Sequence, residues 1–175
     1  MKPRFDARSA GTREPALMAT TSISNPSARP LRSTAAVLAG FLLVVVLSLA
    51  TDQVLHVLQV YPPWGQPMWD PRLNLLALIY RTIYSIASGY VAASLAPHRP
   101  MRHAVVLGVI GTIAGTAGLV ATWDLGFGPR WYPVALAITA FPCVWLGGAL
   151  FARRHDLAQG DNSSSQLDRR SSVSR

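Results

Sequence analysis

Leu73 to Pro97 reads LNLLALIYRTIYSIASGYVAASLAP, an apolar run interrupted by one charge, Arg81. About 20 mostly apolar residues suffice to cross the roughly 30 Å of a bilayer's hydrocarbon, so the run is long enough to span. A charge deep in such a helix costs about 2.5–3.5 kcal/mol on insertion scales. Arg81 therefore requires an opposite charge or water, and the rest of the chain has to provide it.

Of the 175 residues, 50% are hydrophobic and 14% charged, well below the roughly 25% charged of a soluble domain. The apolar residues fall into blocks separated by Pro, Trp, Gly and charge, and four of them are long enough to span. The expected fold is all-α: a polytopic membrane domain over residues 34–151, with helices at about 34–58, 73–95, 104–123 and 131–151. Residues 1–33 and 152–175 are polar, basic and Ser-rich, and read as disordered tails. Met18 is an alternative start. The first block has an alternative too. A basic leader, an apolar core and Ser48-Leu49-Ala50 resemble a cleavable signal peptide, whereas Val54, Leu55, Val57 and Leu58 extend the helical pattern and favour retention.

Lys+Arg total 16 against Asp+Glu 8, yet most of the basic residues lie in the two tails and one short loop, where inserted proteins keep them. No nucleic-acid recognition motif accompanies them, so nucleic acid is excluded as a partner and the bilayer is the expected one. The tails and the 96–103 loop hold most of the Lys and Arg; the other two loops hold Arg72 and Arg130, one each. That asymmetry puts both termini in the cytoplasm. Tyr61, Trp64, Trp69, Trp123, Phe127, Trp131 and Tyr132 then gather at the opposite face, where amphipathic rings favour the interface. The Pro-rich connection VYPPWGQPMWDPR (60–72) reads as an ordered cap with room beneath it for a small molecule.

Two helices carry polar stripes. Ser48, Asp52, His56 and Gln59 recur at helical spacing in the first, and Asn74, Ala77, Arg81, Ser85, Ser88 and Ala92 in the second. At 1.5 Å of rise per residue, Asp52 lies about 9 Å below the outer end of its helix and Arg81 about 12 Å below the outer end of the next. Consecutive antiparallel helices with opposite charges at similar depth are expected to pair, so an Asp52–Arg81 intramembrane ion pair is the central expectation. Ser48, His56, Asn74 and Ser85 would flank it, with Asp124 and Arg130 extending the network. The pair reads either as a clasp fixing helix register or as a proton-coupled site, with His56 as its candidate proton relay.

Gly108, Gly111, Gly115 and Gly118 repeat at steps of three and four. A seam without side chains allows close backbone approach, either inside the bundle or between copies of the chain. Pro142 falls in the middle of the fourth block, where a kink is expected. Cys143 is the only cysteine; no disulfide, metal site, cofactor site or catalytic constellation is recognisable, and the chain does not read as an enzyme.

The segments YPPWG (61–65), LNLLALIYR (73–81), LAPHRPMRHA (95–104), RWYP and FPCVWLGG resemble a functionally uncharacterised family of small four-helix bacterial inner-membrane proteins. The resemblance implies inner-membrane residence and four helices, and no catalytic residue. The small multidrug-resistance transporters differ: they carry a membrane-embedded Glu in their first helix, and this chain has none within its spans. Two functional readings follow. One is a non-enzymatic membrane component that packs with itself or with a membrane-protein partner. The other is a small proton-coupled transporter or permease using Asp52, His56 and Arg81.

Overall fold

A computed structural model describes residues 28–173. Four α-helices follow one another, α1 (Ala28–Val57), α2 (Pro71–Leu95), α3 (Pro100–Thr122) and α4 (Trp131–Val173). All four are long and apolar enough to cross a membrane, and no strand occurs among the described residues. The chain is thus built as a multi-pass, all-α membrane protein.

Burial confirms the solvent for which it is built. Most of the buried positions are small or polar, among them Ala36, Ala77, Ala92, Ala93, Ala104, Ser48, Ser88, Asn74 and Asp52, with Leu107 and Val144 as buried aliphatics. The large aliphatic side chains point outward, as Leu38, Leu42, Val46 and Leu49 do on α1 and Ile79 and Ile83 on α2. A water-soluble bundle buries leucine and exposes polar groups. In lipid, leucine gains nothing by leaving the surface, so close approach through small residues drives packing instead.

The glycines show where that approach occurs. A methyl group added at Gly89 would strike the Val144 carbonyl, and one at Gly147 the Ile86 carbonyl, so α2 and α4 touch backbone to backbone. At Gly40 it would lie 2.8 Å from the Ser88 carbonyl oxygen, which brings α1 onto α2. α2 contacts each of the other three helices, whereas α1 packs on α2 and α3 but not on α4. The seam expected on α3 faces α4 of the same chain. Added methyls at Gly108, Gly111 and Gly115 would meet Phe141, Ala140 and Ala137 at 3.0, 3.9 and 3.3 Å, while one at Gly118 meets nothing within 4 Å.

Three helix bounds depart from the sequence reading. α3 begins at Pro100 rather than Ala104, because proline suits a first helical turn, so residues 100–103 of the expected loop are helical. Residues 28–33, read from the sequence as tail, form the first turns of α1; residues 1–27, with the alternative start at Met18, lie outside the described residues. α4 does not end at 151 but continues to Val173, so most of the segment read as a C-terminal tail is helical. The physical reason is that polarity marks where a helix leaves the membrane rather than where it stops. After Pro142 there is no further proline to break α4, and Ala152 to Gln159 are mostly good helix formers. Pro142 itself sits inside the continuous helix.

The connections are short. Just beyond α1, Gln59 with a φ of 57° turns the chain back so that the Val60 N–H donates to the Leu55 carbonyl at 2.9 Å. Asp70 caps α2 by accepting from the Arg72 N–H, and Pro71 occupies the first helical turn. The 60–70 loop is tied to the α3–α4 loop, the Met68 N–H donating to the Phe127 carbonyl at 2.7 Å. Asn74 reaches up from α2 and donates through Nδ2 to the Met68 and Asp70 carbonyls, both at 2.9 Å. The loops at this end form one hydrogen-bonded cap.

Candidate functional site

Beneath the cap, α1 and α2 bring their polar stripes together. The depth match of Asp52 and Arg81 ends in contact: Arg81 Nη2 donates to Asp52 Oδ2 at 2.6 Å. The second carboxylate oxygen is occupied as well, because the Tyr80 hydroxyl donates to Asp52 Oδ1. Tyr61, from the cap, places its hydroxyl 3.4 Å from the Tyr80 oxygen and 3.4 Å from the Leu73 carbonyl. One turn further from the cap, the hydroxyls of Thr51 and Tyr84 lie 2.9 Å apart. A ladder of polar contacts therefore joins α1 to α2 through buried residues. Each oxygen of the one carboxylate in the α1 span accepts from a different α2 side chain.

Burial explains why these donors are needed. Asp52 is 7% exposed, and an ionised carboxylate without hydrogen-bonding partners is costly in a low-dielectric environment. Arg81 is less enclosed, with 31% of its side chain exposed. Its Nε is buried without a hydrogen-bond partner. Outside the spans, burial pushes the Tyr61 phenol above its usual value of 10.

The other residues expected around the pair divide. Ser85 donates to the Arg81 carbonyl of its own helix at 2.8 Å, and Asn74 serves the cap. Ser48 is buried one turn from Asp52. His56, the candidate relay, is not hydrogen-bonded to Asp52. Its ring lies against Trp64 with centroids 3.9 Å apart and meets the edge of Tyr61 at 5.5 Å, and its Nδ1 is buried without a partner. Asp124 and Arg130 do not extend the ion pair: Arg130 lies over the Trp123 ring at 5.0 Å, and Asp124 is exposed. The ladder's phenols were missed as site residues by sequence reasoning. Tyr80 does carry a signal, since it directly precedes Arg81 on α2 and lies three residues from Ala77 on the buried stripe.

Two cavities meet at Arg81. One of about 350 Å³ lies between the pair and the cap and includes Asp52, His56 and Trp64. The other, of about 450 Å³, lies toward α3 and α4 and is bordered by Gly118, Trp123, Arg130 and Leu136. Arg81, Met68, Phe127 and Tyr132 line both. Above the cap, an open groove of about 660 Å³ runs along His56, Trp64 and Trp69. No protein-family model, curated protein or solved structure matches the chain.

Proposed function

We propose that this chain is a non-enzymatic component of a bacterial inner membrane, with both termini cytoplasmic, and that Asp52 and Arg81 act as a clasp setting the register of α1 and α2. The observation that carries the reading is the occupancy of Asp52, each of whose oxygens accepts from a different α2 side chain. A group that loads and releases a proton works best with a free oxygen and a path to it. Here His56 stacks on Trp64 instead of bonding to the carboxylate. The inner-membrane assignment and the orientation rest on the basic residues of the tails and the 96–103 loop and on the family resemblance.

Association with itself or a partner is the role left to such a component. Between Gly108 and Gly115 the seam is covered by α4, so the contact is assigned to the outward face of α3, where Thr112, Thr116 and Val120 border a shallow groove. Single cysteines introduced in a Cys143→Ser background test this in native membranes. Crosslinking at Thr116→Cys but not at Gly111→Cys supports it; a monomer at every position refutes it.

The second reading, a small proton-coupled permease, is favoured by the two cavities that meet at Arg81. It requires pH-driven flux in proteoliposomes that Asp52→Asn abolishes in a folded protein. That result would replace the clasp with a transport site.

A further inference from the structure

The 450 Å³ cavity between α2, α3 and α4 has a chemistry of its own, separate from the clasp. Its charged lining consists of Arg81 and Arg130, and no carboxylate lines it. Arg81 is balanced by Asp52 across the helix interface, which leaves the exposed Arg130 as the lining cation with no ion pair among the described residues. The Trp123 ring, which also lines the cavity, lies under that guanidinium at 5.0 Å. The remaining walls are largely apolar, with Leu119, Leu136, Pro133 and Phe127 among them.

The space is also kept open. Gly118 lines the cavity, and a methyl there would meet nothing within 4 Å. The end of the glycine seam nearest the cap, Gly115 and Gly118, thus bounds a chamber, whereas Gly108 presses against Phe141 of α4. The volume falls within the roughly 300–1,000 Å³ of small-molecule sites, which are mostly apolar with a few polar groups that fix orientation.

We propose that this cavity binds a small amphiphilic monoanion, its charged head on Arg130 beside Arg81 and its apolar tail between α3 and α4. A free carboxylate with a short alkyl or aryl tail and the anionic end of a membrane lipid share this chemistry. The site does not depend on whether the Asp52–Arg81 pair is structural or coupled to protons.

The test uses the full chain in phosphatidylcholine nanodiscs, titrated with octanoate and followed calorimetrically. Octanol and octyltrimethylammonium serve as neutral and cationic controls with the same tail. Octanoate should bind saturably and the controls should not. Arg130→Gln should weaken octanoate by roughly tenfold to a hundredfold, the range of one charge-assisted hydrogen bond. Gly118→Leu places a side chain in the chamber from a position where an added methyl meets no neighbour, and should abolish binding without lowering the ligand-free melting temperature. If that variant does not fold, Arg130→Gln, at an exposed position, still decides the matter. Repeating the titration in phosphatidylglycerol nanodiscs separates the sources: lost octanoate binding identifies a lipid headgroup as the occupant, and retained binding a free carboxylate. Equal binding of octanol, no octanoate binding in phosphatidylcholine, unchanged binding in Arg130→Gln, or unchanged binding in folded Gly118→Leu overturns the proposal.

Discussion

Removing either partner of the Asp52–Arg81 pair should not cost the same, because the two charges are differently enclosed. Arg81→Met leaves the Asp52 carboxylate behind, with a side chain only 10% exposed and Tyr80 as its remaining donor. Breaking a buried pair typically costs about 3–5 kcal/mol, most of it the penalty of the stranded charge. The surviving Tyr80 bond places this variant at the low end, about 3 kcal/mol. Asp52→Asn strands Arg81 instead, whose side chain is 31% exposed and borders two cavities. Its cost should fall between a surface pair and a buried one, about 1–2 kcal/mol. The double variant removes both charges and should lie within about 2 kcal/mol of the parent, so the cycle yields a coupling of about 2 kcal/mol or more. Unfolding by sodium dodecyl sulfate titration in mixed micelles, followed by far-ultraviolet circular dichroism, measures all four proteins. A larger loss for Asp52→Asn than for Arg81→Met, or a coupling below about 0.5 kcal/mol, refutes the clasp.

Two further outcomes follow from the packing and the cap. Gly147→Ala drives a methyl into the Ile86 carbonyl and should destabilise the bundle by about 1–3 kcal/mol, whereas Gly118→Ala, which meets nothing, should change stability by less than about 1 kcal/mol; equal losses in the same titration would show that α2 and α4 are not in backbone contact. Tyr61 is neutral in the fold and its phenol is raised above 10 by burial, so its contribution is complete below pH 10 and declines as pH rises past that value. Tyr61→Phe should flatten that part of the alkaline stability profile, and an unchanged slope between parent and variant would remove Tyr61 from the buried ladder.

The parts legible in the sequence were those set by periodicity. Helical spacing placed Asp52 on the polar stripe of α1 and Arg81 on that of α2, and rise per residue put them at similar depth, which is enough to bring two consecutive helices into contact through those residues. The phenols were not legible in this way. Tyr80 is chemically ambiguous, as ready to sit at an interface as to donate to a buried carboxylate, and only the approach of α1 decides between them. Tyr61 belongs to a loop, where no repeat reports direction. Glycine spacing on α3 announced a close approach without naming the partner. The tightest contacts use Gly89 and Gly147, of which Gly89 belongs to no repeat in the sequence, while the Gly147-Gly148 pair does mark a close-packing point without naming its partner. The extent of α4 was misread because hydropathy ends with the membrane while helix propensity does not.

These two kinds of legibility explain where the site sits. Small residues bring α2 and α4 together near Gly89 and Gly147, and α1 against α2 near Gly40. Toward the cap the helices instead carry larger side chains, Tyr80, Arg81 and Tyr132, which the loops enclose with Tyr61. Backbone contact at one level and bulky side chains at another make the bundle open toward the capped end, and both cavities lie there. A charge in the middle of α2 is tolerated for the same reason: Arg81 stands where the bundle widens, bonded on one side to Asp52 and on the other bordering a chamber that Gly118 keeps open.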